Sequence, residues 1–182
     1  MKVTRRIAAV AAIGIAAAVA GGAVPANAAG PTYISVLGPY NATDTKVLDI
    51  ANWSMDNRGP AHLWTLRTTG NVDNQRWYVF DSGTLNGHRV VELVNVNSNK
   101  CLDKSEDVPN ANGNAVYQYR CTGLNNQLWE FIPGPDAFSH WGELKNVAGG
   151  RCLDIQGPSF TDGARIHVWD CYGAWNQRWN ID

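Results

Sequence analysis

The chain has 182 residues, with 15 Lys and Arg against 16 Asp and Glu, for a formal net charge of −1. A near-neutral chain without a basic run is a poor partner for a phosphate backbone, so nucleic-acid binding is excluded. Beyond the N-terminus no stretch is long and apolar enough for membrane insertion.

Lys2, Arg5 and Arg6 form a positive n-region ahead of the apolar run Ile7 to Ala20, and Ala26-Asn27-Ala28 is a small-residue cleavage site. This is the layout of a secretory signal peptide over 1–28, removed on export. The apolar run is 14 residues, too short to span a bilayer comfortably. Cleavage leaves residues 29–182, and removing three positive side chains takes the formal charge from −1 to −4. A chain of that length supports one domain with a core, and the product reads as a secreted, mildly acidic protein.

From there the sequence alternates short strand-like runs with turn residues. The runs are Tyr33 to Leu37, Lys46 to Ile50, Trp77 to Phe80, Arg89 to Val96, Asn114 to Tyr119, Leu128 to Ile132, Glu143 to Val147, Arg165 to Trp169 and Trp179 to Ile181. Asp81-Ser82-Gly83, Asn110 to Gly113, Pro133-Gly134-Pro135 and Gly149-Gly150 separate them. The pattern predicts an all-β protein.

Two landmarks recur in a fixed order. Asn74-Gln75-Arg76-Trp77, Asn126-Gln127-Leu128-Trp129 and Asn176-Gln177-Arg178-Trp179 place tryptophans 52 and 50 residues apart. Ahead of each stand Val47-Leu48-Asp49-Ile50, Cys101-Leu102-Asp103-Lys104 and Cys152-Leu153-Asp154-Ile155. Recurrence at one period signals three internal repeats, at about 29–80, 81–132 and 133–182. A propeller needs about four blades or more, and an open stack needs distinct caps. Closure around a threefold axis leaves no sheet edge, which predicts a β-trefoil of three ~50-residue repeats with pseudo-threefold symmetry.

The four cysteines occupy the second and third repeats. Repeat equivalence selects Cys101–Cys121 and Cys152–Cys171, with separations of 20 and 19, among the three pairings that four cysteines allow. Export keeps such bonds oxidised. The spacings are unlike those of zinc sites, so no metal is expected.

Strand alternation points to a site. In Ile166-His167-Val168-Trp169, Ile166 and Val168 face one way and His167 and Trp169 the other. Asp154 lies on the same side of its strand as Cys152, so the disulfide brings Asp154, His167 and Trp169 to one outward face. A carboxylate, an imidazole and an indole around a shallow hollow suit a sugar, whose C–H face stacks on an aromatic ring while its hydroxyls donate to the carboxylate. The first repeat reproduces the set as Asp49, His62 and Trp64, with Val47 and Leu66 where the cysteines stand. The second departs: Asp103 to Tyr119 is 16 residues against 15 elsewhere, and Tyr117 takes the histidine position. Trp175 reads as loop packing, and His88 and His140 read as solvated.

The repeated Gln-x-Trp with Leu-Asp upstream resembles the ricin B-type lectin family, the QxW-repeat β-trefoil carbohydrate-binding modules. The resemblance covers essentially all of 29–182. It implies that Trp77, Trp129 and Trp179 are core, and that each sugar site adds the Asn before Gln-x-Trp. The implied carbohydrate-binding sets are Asp154, His167, Trp169 and Asn176; Asp49, His62, Trp64 and Asn74; and Asp103, Tyr117, Tyr119 and Asn126. The family usually has Gln where His62, Tyr117 and His167 stand. The first repeat has a longer loop, with 11 residues from Trp64 to Gln75 against 8 in the others, which is expected to displace Asn74.

No GxSxG, HExxH or phosphate-binding glycine loop occurs, so no enzyme activity, catalytic residue or cofactor is expected. The sequence thus predicts a secreted lectin with up to three shallow sites for galactose-type or xylan-type glycans. The alternatives are a protein-interaction or inhibitor trefoil, and a targeting subunit for a separately encoded hydrolase or toxin.

Overall fold

The computed structural model describes residues 30–135 and 140–182; the signal-peptide reading of 1–28 lies outside them. Thirteen strands carry the described chain. They are β1 (Thr32–Tyr33), β2 (Ser35–Val36), β3 (Lys46–Ile50), β4 (Gly59–Thr65), β5 (Arg76–Leu85), β6 (His88–Asn95) and β7 (Cys101–Lys104). They continue with β8 (Val116–Tyr119), β9 (Leu128–Pro133), β10 (Gly142–Asn146), β11 (Cys152–Ile155), β12 (Ile166–Trp169) and β13 (Arg178–Asn180). All pairings between them are antiparallel. The hydrogen-bonded path β6-β7-β8-β4-β3-β2-β13-β10-β9 returns to β6, so the central sheet closes on itself and leaves no edge along that ring.

Three hairpins carry the repeated Leu-Asp motif, and their registers agree. Asp49 pairs with His62, Asp103 with Tyr117 and Asp154 with His167. The neighbouring pairs Val47–Trp64, Cys101–Tyr119 and Cys152–Trp169 agree likewise. The extra residue of the second hairpin is therefore taken up in its loop and shifts no side chain to the other face.

Each Leu-Asp strand sends its leucine inward. Leu48, Leu102 and Leu153 are fully buried beside Trp77, Trp129 and Trp179 in one cluster with Ile34, Leu63, Leu93, Leu144 and Val168. An indole can enter a core only if its N–H finds an acceptor. Here Trp77 Nε1 donates to Leu48 O at 3.0 Å, Trp129 Nε1 to Leu102 O at 3.2 Å and Trp179 Nε1 to Leu153 O at 2.9 Å. The two landmarks of each repeat are thus bonded to each other. The disulfides are Cys101–Cys121 and Cys152–Cys171, with Cα–Cα distances of 5.0 and 5.1 Å. At the matching place in the first repeat Val47 is buried and Leu66 half-buried.

The strands depart from the expected runs: β4, β7 and β11 stand where no run was named, and further boundaries differ. Tyr33 to Leu37 is interrupted, giving the two short strands β1 and β2. Asp81-Ser82-Gly83 does not separate strands: β5 runs through it to Leu85, with a register shift between Asp81 and Thr84. The hairpin turns instead at Asn86-Gly87, both with positive φ, 52° and 84°. Asn-Gly suits that turn because it tolerates two successive left-handed residues.

Because Trp179 is fully enclosed and its indole N–H is satisfied, Trp179→Ala should destabilise the fold by ~3–5 kcal/mol. Trp169 is 41% exposed, so Trp169→Ala should melt close to the parent. Chemical denaturation of both variants checks the division, and equal losses would overturn it.

Candidate functional site

On the side of each Leu-Asp strand opposite the leucine, the structure assembles the expected residues. In the third repeat Asp154 Oδ1 is 2.8 Å from His167 Nε2, and Asn176 Nδ2 donates to Asp154 Oδ2 at 2.9 Å. Trp169 stacks on His167 with 5.4 Å between ring centroids. In the first repeat Asp49 Oδ1 is 2.8 Å from His62 Nε2 and takes Asn74 Nδ2 at 2.9 Å, and Trp64 stacks on His62 at 5.1 Å. In the second repeat Asn126 Nδ2 donates to Asp103 Oδ2 at 2.9 Å, with Tyr117 and Tyr119 beside it at a ring separation of 6.4 Å. All three sets of four therefore come together.

The glutamine of Gln-x-Trp organises these loci, a role that sequence reasoning missed. Gln75, Gln127 and Gln177 are fully buried. Each side-chain oxygen accepts a backbone N–H, from Arg67 at 2.9 Å, Thr122 at 2.7 Å and Tyr172 at 2.8 Å. Each Nε2 donates to a backbone carbonyl just upstream, of Thr65 at 3.0 Å, Arg120 at 2.9 Å and Asp170 at 3.0 Å. The amide so clamps the chain leaving the aromatic strand. Gln127 and Gln177 also donate to Asp103 and Asp154, at 2.7 and 2.8 Å.

The expectation of outward-facing polar residues needs correction: Asp49, Asp103, Asp154 and His167 are all buried, while Trp169 and Tyr172 are exposed. At the first and third loci a side chain from the following loop also bonds the aspartate. Tyr172 OH donates to Asp154 Oδ2 at 3.2 Å and accepts from Asn176 Nδ2 at 2.6 Å. Arg67 reaches Asp49 Oδ2 at 3.3 Å and hydrogen-bonds Asn74 Oδ1, its guanidinium 4.3 Å from the Trp53 ring centroid. The longer loop of the first repeat thus leaves Asn74 in place. Neither Arg67, Trp53 nor Tyr172 was marked by the repeat pattern, since all three lie outside the two landmarks.

The second locus, the most divergent in sequence, borders a surface hollow. A hollow of about 170 Å³ is lined by Asp103, Tyr117, Tyr119 and Asn126, with Arg58, Glu106, Asp107, Thr122 and Leu124 around them. Both donors to Asp103 converge on Oδ2, and Asp103 Oδ1 has no protein donor among the described residues. Asn126 is 9% exposed, and its Oδ1 is buried without a hydrogen-bond partner. Arg58, contributed by the first repeat, pairs with Asp107 at 2.7 Å and lies 5.8 Å from the Tyr117 ring centroid.

Two histidines expected to be solvated have acidic neighbours. His88 Nδ1 lies 2.9 Å from the buried Glu130, and His140 Nδ1 lies 3.6 Å from Asp182 at the C-terminus. Both contacts join residues 42 positions apart, beyond the reach of any local pattern. Trp175 packs edge-on against Phe160 at 5.7 Å, as loop packing requires.

Residues 89–182 match the ricin-type beta-trefoil lectin domain. The chain belongs to that family. A ricin-type lectin with these three loci is similar to the designed 3-fold symmetric protein ThreeFoil, at 28% identity and a TM-score of 0.67, over 82% of this chain and 98% of that one. It is equally similar, at 28% identity and a TM-score of 0.66, to an exo-beta-1,3-galactanase from Clostridium thermocellum. There the match covers 82% of this chain but only 30% of the galactanase. The Rhizoctonia solani agglutinin shares the fold at 16% identity and a TM-score of 0.63, over 90% of this chain and 99% of that one.

In this ricin-type domain the acidity of Asp103 is perturbed. Burial pushes its carboxyl up to about 6, although hydrogen bonds from Gln127 and Asn126 pull the other way. A folded-state value above the unfolded one, about 3.9, means that the charged form weighs against the fold. Its contribution to stability is full below about pH 4 and is lost as pH rises through about 6. Wild type should therefore lose stability relative to Asp103→Asn between those pH values, and the difference should be flat above neutrality. Denaturation of both proteins across that range checks this; an invariant difference would refute it.

Proposed function

We propose that the protein is a secreted, non-catalytic lectin that binds a glycan in the hollow of the second repeat. The three ~50-residue units are taken as a pseudo-threefold trefoil spanning 29–182. The single observation that carries the reading is the open arrangement of Asp103, Tyr117, Tyr119 and Asn126 around that hollow. Tyr119 and Tyr117 offer faces for the apolar side of a pyranose ring. Asp103 Oδ1 is positioned to accept from a hydroxyl in a charge-assisted bond. No metal is needed: Cys101, Cys121, Cys152 and Cys171 are all in disulfides, so the cysteines beside Glu92 and Glu143 offer no thiolate.

The ligand class is galactose-type or xylan-type glycan, with the galactose-type favoured. A galactan-degrading enzyme carries a region that matches this chain at 28% identity. One such site holds a monosaccharide at ~1 mM, about −4 kcal/mol. The sets Asp49, His62, Trp64, Asn74 and Asp154, His167, Trp169, Asn176 match each other but carry His and Trp where the second set has Tyr117 and Tyr119, and glycan binding is assigned to the second set. Because the match covers only 30% of the galactanase, a targeting role for a separately encoded hydrolase is the second reading. Co-purification of a catalytic partner would distinguish it.

A glycan array on the mature protein, followed by titration of the best glycan, tests the proposal. Asp103→Asn should weaken binding at least ~10-fold, as expected for loss of a charge-assisted hydrogen bond. Binding to the parent should also weaken as pH falls through about 6, where Asp103 takes up a proton. Unchanged affinity in Asp103→Asn would dismiss this hollow as the site.

A further inference from the structure

The three loci differ most at one position, the residue that follows the second cysteine or its Leu66 equivalent. It is Arg67 in the first repeat, Thr122 in the second and Tyr172 in the third. Its backbone is held alike in all three, because its N–H donates to the clamping glutamine at 2.9, 2.7 and 2.8 Å. The side chain alone then decides what enters. Tyr172 places a phenol hydroxyl against Asp154 and Asn176, at 3.2 and 2.6 Å. Arg67 places a guanidinium against Asp49 and Asn74, resting on the Trp53 ring. These are the same two residues, Asp and Asn, that face the hollow in the second repeat. Thr122 is too short to reach them, and its hydroxyl donates to Gln127 Oε1 at 3.0 Å.

We infer that this position is the gate of each locus, and that Arg67 and Tyr172 are internal caps standing where a sugar's hydroxyls would bind. The inference rests on the carbohydrate reading of the loci. On it the chain binds a single glycan, in the second repeat, and its first and third loci are closed. A ligand entering the third locus must displace a hydroxyl already bonded to a buried carboxylate. Replacing one charge-assisted hydrogen bond costs on the order of 10- to 100-fold in affinity. Against a site that begins near ~1 mM, that loss leaves the capped loci empty. Removing the cap should open them, because Trp169 and the Asp154–Asn176 pair are already in place beneath it.

The test is a site-resolved NMR titration with galactose and, separately, xylotriose, on the parent, Thr122→Tyr, Tyr172→Thr and Arg67→Thr, each first checked for a cooperative melt. In the parent the Asn126 side-chain amide should shift while the Trp169 and Trp64 indole N–H signals stay still. Thr122→Tyr should weaken the Asn126 response more than ~10-fold. Tyr172→Thr should make the Trp169 indole respond at a concentration that leaves the parent's unmoved, and Arg67→Thr should do the same for Trp64. Response of Trp169 or Trp64 in the parent overturns the gate, as does a Tyr172→Thr protein whose Trp169 remains silent at saturation of the second locus. If the parent binds neither sugar but Tyr172→Thr binds one, the gate stands and the second-repeat site falls. If no protein binds either sugar, both fall.

Discussion

The indole N–H of each Gln-x-Trp tryptophan, bonded to the carbonyl of the leucine before the repeated aspartate, sets the geometry of everything around it. Three such bonds, at 3.0, 3.2 and 2.9 Å, tie the end of each repeat to its beginning. With the leucine carbonyl fixed from the core side, the next residue, Asp49, Asp103 or Asp154, must project to the opposite face. With the tryptophan fixed, the asparagine three residues before it reaches that aspartate. A packing constraint inside the barrel therefore places polar partners outside it.

Those polar partners are themselves buried, and the aspartates among them are stabilised there by the donors they share. An unpaired carboxylate at that depth would be costly. Asp154 takes donors from His167, Asn176, Gln177 and Tyr172, and Asp49 from His62, Asn74 and Arg67. Asp103 has only Asn126 and Gln127, and burial holds its carboxyl up at about 6 against their pull. The under-supplied aspartate and the open hollow are one fact seen twice. A locus short of internal donors is the one with room, and need, for external ones.

Much of this was legible in the residues themselves. The spacing of Leu-Asp and Gln-x-Trp sufficed to find three units, and equivalence between them sufficed to pair Cys101 with Cys121 and Cys152 with Cys171. Period-two alternation separated Trp169 from Val168 and Asp154 from Leu153 correctly, because strand geometry leaves a side chain only two directions. The same rule put Asp154, His167 and Trp169 together, and the family resemblance added Asn176. The rule went wrong where direction was not enough: His167 points away from the core yet is buried, since exposure depends on what lies above it.

The sequence by itself thus determined the repeat, the disulfide pairing and the face on which each locus lies, since these follow from local periodicity and internal comparison. Tertiary structure alone decided which locus is open. Arg67, Thr122 and Tyr172 sit in irregular loops, where no period fixes the course of the chain, and their reach depends on a glutamine in the short 3-10 turn ahead of the next strand. Side-chain length at that one clamped position, read against a carboxylate 18 residues away in sequence for Tyr172 and Asp154, is a distance that only the folded chain defines.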